Sequence, residues 1–388
     1  MAQLSLSNQL LPISICKKMK ESSKFIIPWA CPDICQDDFE SLKDCFDSKW
    51  ISQGKKVEEF EHCIATNSDR KFCVTVNSGS SALMSLLISL GVSSKSEVII
   101  PAMSFIALPH IVTLLSALPV LADIDKSTGM ITKETVLSCI SERTSAVIAI
   151  DYSGFANDWS DLSEMCGKLG ITLIIDCASS FLATNNGRPA GSFGDAAIFS
   201  FHSAKTITTG EGGAIVTDNE NLASLLSQIR NHGEMHGNKY YYNSLGSNFR
   251  MTDIAASLGI SQIRRKVQIL KHRLQLISYY LENPILKELA LTGYCNNNLV
   301  PNGFTFTILC RSRDKVRKKL FDFGIETRIM WPHCVDEQPV YQRYPIKKSG
   351  SINNAKHFSQ SCLSLPLHSG ISKNEIDYIT NIIEKVLP

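Results

Sequence analysis

The sequence predicts an α/β protein, a large domain on a mostly parallel sheet between helices followed by a smaller α/β domain. Two patterns carry this reading. First, from Phe72 onward short Val- and Ile-rich runs alternate with longer amphipathic stretches. Phe72–Val76, Glu97–Ile100, Pro119–Asp123, Ala146–Ile150 and Thr172–Ile175 have the length and near-continuous apolarity of strands buried on both faces. Between them Ser81–Leu90, Ile106–Leu115, Lys133–Ile140 and Ser160–Leu169 read as helices, and this alternation implies parallel strands joined by helical crossovers. Second, the pattern changes after Met251. One long helix is expected from about Asp253 to Glu282, stopped by Asn283-Pro284, then a strand (Phe304–Leu309), a charged helix (Asp314–Phe323) and a last helix (Lys373–Val386). The expected division is a loose extension over residues 1–24, a large domain over 25–265 and a small one over 266–388.

The composition suits such a chain. Its 388 residues exceed one small domain, and 44 % hydrophobic with 20 % charged residues supplies material for a sizeable core. The 39 basic and 37 acidic residues nearly cancel, which points to neither nucleic acid nor an anionic membrane as partner. Thirteen cysteines, odd in number and without a CxxC pair, read as reduced thiols of a cytoplasmic protein rather than a disulfide framework. The stretch through Lys18 lacks a basic region ahead of its apolar residues, so no secretory signal is expected there. Residues 98–122 carry no charge and are long enough to span a bilayer, but Pro101, Pro109 and Pro119 divide them into strand, helix and strand.

In sheets of this kind ligands sit beyond the carboxyl ends of the strands, so the loops there carry the candidate chemistry. NSGSSAL (77–83) lies between a strand and a helix. Gly79 permits a tight turn, and the N–H groups after it form a phosphate cradle at a helix N-terminus; a plain turn gives the same sequence. In LIIDCASS (173–180), Asp176 ends a buried strand and needs a cation or donors there. A protonated pyridine nitrogen satisfies it, and so would a metal ion or a helix N-terminus. FSFHSAKTITTGEGGAI (199–215) is the most telling block: an apolar strand enters a polar turn with one lysine, then glycines lead into another strand. Lys205, half-buried among hydroxyls, suits a lowered pKa and Schiff-base chemistry, with Ser200 able to offer its hydroxyl to a neighbouring phosphate.

With these blocks the chain resembles the DegT/StrS-type nucleotide-sugar aminotransferases, fold-type I pyridoxal-phosphate enzymes, over about residues 25 to 388. WISQGKKVEEFE (50–61), NSGSSAL, DCASS, SFHSAKTITTGEGG, GSNFRMTDIAASLGISQ (246–262) and SLPLHSGISKNEI (364–376) match the family's motifs in order. The resemblance implies that Lys205 carries pyridoxal 5'-phosphate, that Asp176 salt-bridges its ring nitrogen and that Phe105 stacks on the ring. Gly79, Ser80 and Ser200 would bind the phosphate, with Asn248 contributed by the partner subunit of a homodimer with shared sites; the other local reading of Asn248 is a cap on its own helix. The family usually has Gln where Ser179 stands, a contact to the ring hydroxyl that the shorter serine makes through water or not at all, and Ala where Cys177 stands.

The resemblance also implies a ping-pong reaction. An amino acid, glutamate in most relatives, leaves its amino group on the cofactor as pyridoxamine 5'-phosphate, with Lys205 moving the proton. The group then passes to a keto sugar, a nucleotide-linked keto-deoxy sugar by resemblance, with a free sugar acid or cyclitol as the other acceptors. TRIMWPHCVDEQPVY (327–341) aligns with a segment near the sugar nucleotide, making Arg328, Trp331 and His333 candidate contacts. Two rival classes remain: a pyridoxamine-dependent sugar dehydratase, whose relatives carry His in place of the lysine, and a non-catalytic regulator with the same fold. The presence of Lys205 and Asp176 speaks against both.

Overall fold

The computed structural model describes residues 26–387. The extension expected over residues 1–24 lies outside the described residues. Eight strands form the main sheet: β1 (Phe72–Val76), β2 (Glu97–Pro101), β3 (Leu118–Ala122), β4 (Thr144–Ile150), β5 (Thr172–Asp176), β6 (Ala196–Ser200), β7 (Gly213–Thr217) and β8 (Lys347–Lys348). Their spatial order is β1-β7-β6-β5-β4-β2-β3-β8. All pairings from β6 through β5, β4, β2 and β3 to β8 are parallel, whereas β7 runs antiparallel to both its neighbours, β1 and β6. The middles of the central strands are apolar because both faces are covered; Val98, Ile99, Ile100, Val147, Ile148 and Ile174 are fully buried.

The strand–helix–strand reading of residues 98–122 is what the fold contains, as β2, the helix Ala107–Leu114 and β3. No helix among the described residues is long and apolar enough to cross a membrane. None of the twelve described cysteines is joined to another in a disulfide.

A second apolar cluster joins Leu276, Ile277 and Tyr280 to the two-stranded sheet Phe306–Leu309 with Cys362–Leu365 and to the helix Lys373–Glu384, with Ile27 reaching in from the start of the described chain. Cys334, Val335, Tyr341 and Phe358 instead pack on the larger core. β8 extends the edge of the main sheet beside β3, and Lys347 Nζ lies 3.0 Å from Glu97 Oε2, pinning it there.

Two expectations are corrected. The long helix is two, Asp253–Arg264 and Lys266–Leu281, interrupted at Arg265 (φ −96°, ψ 7°). Arg265 is engaged by Asp33 (3.1 Å) and Asp38 (2.8 Å), long-range ties invisible in the helical periodicity. The helix begun at Lys133 ends at Leu137, three residues early. The helix Glu220–Arg230, capped by Asn219, was not anticipated.

At the N-terminus of the helix Asp253–Arg264, Thr252 caps its own helix through Ala255 N–H (3.2 Å). Asp253 instead reaches across to a second helix, Lys55–Asn67, where its buried carboxylate accepts N–H bonds from Gly54 (2.8 Å), Lys56 (3.2 Å) and Val57 (3.1 Å). A helix start leaves such donors orphaned unless a side chain meets them. Asp253→Ala should therefore cost about 2 kcal/mol of stability, seen as a lowered urea midpoint, while Asp253→Asn keeps one acceptor and loses less.

Candidate active site

The site forms where β1, β6, β5 and β4 end on one edge of the sheet, with β7 starting there between β1 and β6. The antiparallel strand β7 makes this possible. Its first residue, Gly213, pairs with Val76 at the end of β1 and with Ser200 at the end of β6. A Cβ on Gly213 would lie 2.3 Å from Ser78 O and 2.7 Å from Gly79 N, so only glycine lets the 77–80 turn close over it. Ser78 then caps the helix Gly79–Ser89, its Oγ accepting from Ser81 N–H (3.0 Å). A Cβ on Gly79 would come within 3.1 Å of Ser200 Cβ, so the turn lies directly against Ser200. No hydrogen bond among the described residues engages the hydroxyl of Ser80 or of Ser200. Two free hydroxyls beside a helix N-terminus are suited to an anion such as phosphate.

Asp176 ends β5, paired with Ile150 and Ile198 on its two sides, and is 6 % exposed. Oδ1 accepts the Ala178 N–H (2.9 Å), while Oδ2 has no hydrogen bond among the described residues. Burial pushes its carboxyl pKa up, with the Ala178 N–H and the Lys205 charge drawing it back. Lys205 sits in the turn after β6, its N–H donating to His202 O (2.8 Å). Its Nζ lies 4.4 Å from the centre of the Phe304 ring and makes no hydrogen bond or ion pair among the described residues. Burial lowers this amine to about 8, against the upward pull of Asp176. A substantial part of it is thus neutral, and nucleophilic, near physiological pH.

These features fit pyridoxal phosphate. The cradle offers hydroxyls and a helix N-terminus to the phosphate, the unpartnered Asp176 oxygen needs a cationic N–H, and Lys205 supplies an amine that is easily deprotonated.

Phe105, four residues beyond the end of β2, is half exposed, its ring 6.5 Å from that of Trp331. The segment carrying Trp331 is held there by Val335 N–H donating to Ala102 O (2.9 Å) and by Tyr152 Oη donating to Met330 O (2.6 Å). Arg328 and His333 lie differently. The Arg328 guanidinium pairs with Glu326 (2.6 Å) and lies over the Trp29 ring (5.8 Å), and the exposed His333 faces Glu337 at 3.9 Å. Ser179 donates its hydroxyl to the backbone oxygen of Asp151 (2.7 Å), so its proton is already committed within the protein. Asn248 is exposed; its backbone oxygen accepts from Asn77 Nδ2 of the same chain (3.3 Å), next to the cradle.

Three residues that sequence reasoning passed over help to build the site. Asn302 is buried and joins three loops: its Nδ2 donates to Ser179 O and Phe181 O (both 2.9 Å), its N–H to Gly154 O (3.0 Å), and its backbone oxygen accepts from Thr206 Oγ1 (3.3 Å). Phe304 forms the floor under the Lys205 amine and packs edge-on against Trp29 (5.8 Å). Asp151, at the end of β4, meets the loop after Asp176. The first two are single residues without a spacing pattern. Asp151 carried a weaker signal, a lone acid directly after a buried strand, the same signal that singled out Asp176.

Comparison with known proteins places the chain among aminotransferases. A model of the DegT/DnrJ/EryC1/StrS aminotransferase family matches residues 32–384. A GDP-perosamine synthase of Caulobacter vibrioides is 31 % identical over 370 residues, covering 92 % of this chain and 97 % of its own, and one from Vibrio cholerae is 29 % identical over 364, covering 92 % and 98 %. Among solved structures, DesI in the presence of its TDP-sugar product superposes with a TM-score of 0.85 at 27 % identity, covering 94 % of this chain and 93 % of that one. The chain belongs to the DegT/DnrJ/EryC1/StrS aminotransferase family and is a pyridoxal-phosphate-dependent aminotransferase.

Proposed function

We propose that this aminotransferase moves an amino group from an amino acid, L-glutamate, to the keto group of a nucleotide-linked keto-deoxy sugar, in the cytoplasm. The observation that carries the reading is the neutralisable amine of Lys205 set within the influence of the Asp176 carboxylate, one of whose oxygens has no hydrogen bond among the described residues, and near the Gly79–Ser200 cradle. The acceptor class is supported by relatives named GDP-perosamine synthase and by the structure of DesI with a TDP-sugar product.

When bound, pyridoxal phosphate supplies a carbonyl carbon that takes up the amino group and a ring that draws off the electron pair released at the donor's Cα. The chain's own residues do the rest. Ser80, Ser200 and the N–H groups at Gly79 hold the phosphate. Asp176 keeps the ring nitrogen protonated, because its own buried charge is stabilised by that proton. Lys205 Nζ would take the proton from the donor's Cα and pass it to the carbon that receives the amino group, a task matched to an amine of pKa about 8. Phe105 covers one ring face, and Trp331 extends that apolar wall toward the acceptor side. Arg328 and His333, on the same segment, are the contacts for the pyrophosphate or base of the nucleotide.

The working unit in this reading is a homodimer with shared sites. Residues 232–247 carry exposed Met235, Tyr240, Tyr241, Tyr242 and Leu245, an apolar surface of the kind that marks a protein contact. The same loop leads into Asn248, and because Thr252 already caps the following helix, Asn248 is free of that role.

Three measurements test these statements. Borohydride reduction of the loaded enzyme should leave the cofactor on the peptide containing Lys205, and capture of the cofactor by the apo-protein should slow about tenfold per pH unit below about 8 and level off above it, since only the neutral amine attacks. Recovery of the label on another lysine would overturn the assignment. Glutamate-charged enzyme screened against nucleotide-linked keto sugars, free sugar acids and cyclitols should aminate the first class; turnover confined to the others would refute the acceptor proposed. Finally, mixing Lys205→Ala with Asn248→Asp should restore part of the activity after subunit exchange. Failure to do so with exchange demonstrated would place Asn248 in its own subunit's site.

A further inference from the structure

Asp151 makes an unusual set of contacts with one short segment. Its N–H donates to Asp176 O (3.0 Å), and its backbone oxygen accepts from Ser179 Oγ (2.7 Å). Its Oδ2 accepts from Cys177 Sγ (3.3 Å) and Ser180 Oγ (2.9 Å). Thus of the five residues 176–180, four bond directly to this one residue, and the fifth, Ala178, is the one whose N–H orients the Asp176 carboxylate. On the other side, Oδ1 accepts from Asn157 N–H (3.1 Å) and Trp159 Nε1 (2.9 Å), tying Asp151 to the loop after β4. The side chain is 1 % exposed, and among the described residues no Lys, Arg or His pairs with it.

All four partners of the Asp151 carboxylate are donors. A carboxylate is acceptor-only when ionised and can meet all of them at once, whereas an amide would turn an N–H toward at least one. Retaining a buried charge with no cation is costly, and burial raises the Asp151 pKa to about 6 despite its donors. Simple packing of two loops does not call for that cost, since an apolar residue would fill the space without it. Fixing the direction of a loop does, because each bond to the carboxylate is directional and charge-assisted.

We propose that Asp151 is a positioning residue that sets the orientation of the Asp176 carboxylate toward the cofactor's ring nitrogen. It acts through the backbone of residues 176–180 and does not itself touch the cofactor. Cys177 is one of its working parts: the thiol donates to Asp151 Oδ2, and burial and the neighbouring Asp151 charge push its pKa well above that of a free thiol, so it stays a donor. Ser179 likewise acts here by its bond to the Asp151 backbone.

This inference rests on the reading that Asp176 pairs with the ring nitrogen, so Asp176→Asn is the reference variant. Cofactor affinity, the pH titration of the visible absorption of the bound cofactor, and kcat and KM for the amino donor are measured for wild type, Asp176→Asn, Asp151→Asn and the double variant Cys177→Ala/Ser180→Ala. The double variant keeps the charge and removes both donors to Oδ2, and it serves where Asp151→Asn does not fold. The expected result is that Asp151→Asn and the double variant move the absorption titration in the same direction as Asp176→Asn by a smaller amount. They should weaken cofactor binding by about tenfold and lower kcat with little change in KM. A lowered melting temperature with wild-type absorption and cofactor affinity would mean that Asp151 only holds the loops together, and would overturn the inference alone. An unaltered titration in Asp176→Asn itself would overturn the pairing reading, and this inference with it.

Discussion

The backbone of the 77–80 turn passes so close to Gly213 that a single added carbon would lie 2.3 Å from Ser78 O. That contact is the constraint on which the site depends. Because β7 runs against its neighbours, its first residue lies between the finishing ends of β1 and β6, and those two ends are thereby locked at one level. The Gly79–Ser200 cradle is assembled from them. A side chain at position 213 would push the turn away and part the helix N-terminus at Gly79 from Ser200.

The electrostatics follow from the same arrangement. An acid and an amine are buried within each other's influence, and burial drives both toward neutrality, the acid by raising its pKa and the amine by lowering its own. Such a pair is poorly solvated and incompletely bonded on its own. The apolar Phe304 ring under Lys205 and the single N–H on Asp176 leave both groups reactive toward a ligand that offers a carbonyl to one and an N–H to the other. The protein keeps these two groups short of partners while satisfying the surrounding backbone, through Asn302 above all.

Much of this was legible in the sequence because NSGSSAL, LIIDCASS and FSFHSAK lie where strands end. Apolar runs located the strands, and polar residues immediately after them marked the ligand edge, so Asp176, Gly79, Ser200 and Lys205 stand out as candidates by position as well as by type. What escaped was set by contacts distant in the chain. The break at Arg265 interrupts no hydrophobic period; it is fixed by Asp33 and Asp38, more than two hundred residues earlier. Asn302 lies in a loop that reads as a turn, and its importance arises from bonds to residues 154, 179, 181 and 206. For Ser179 the sequence recorded a shorter side chain; the structure gives that side chain an occupation, the bond to Asp151.

The segment from Asn248 to Asp253 is tied to the body of the fold at both ends. Phe249 O accepts from Asn77 N–H at the edge of the cradle (2.8 Å), and four residues later the Asp253 carboxylate seals the start of a helix formed almost two hundred residues earlier in the chain. Insertions or deletions here would change the span between two fixed points and unseal one of them. The exposed loop just upstream, around Tyr240–Tyr242, is not stretched between two such points: its bonds run within the loop, Met235 N–H to Tyr241 O (2.8 Å) and Tyr240 N–H to the Glu234 carboxylate (2.7 Å), so its outward side chains can change without unsealing either end. Divergence among homologous enzymes should therefore collect in that outer loop, as variation in what it touches, while the short span behind it keeps its length.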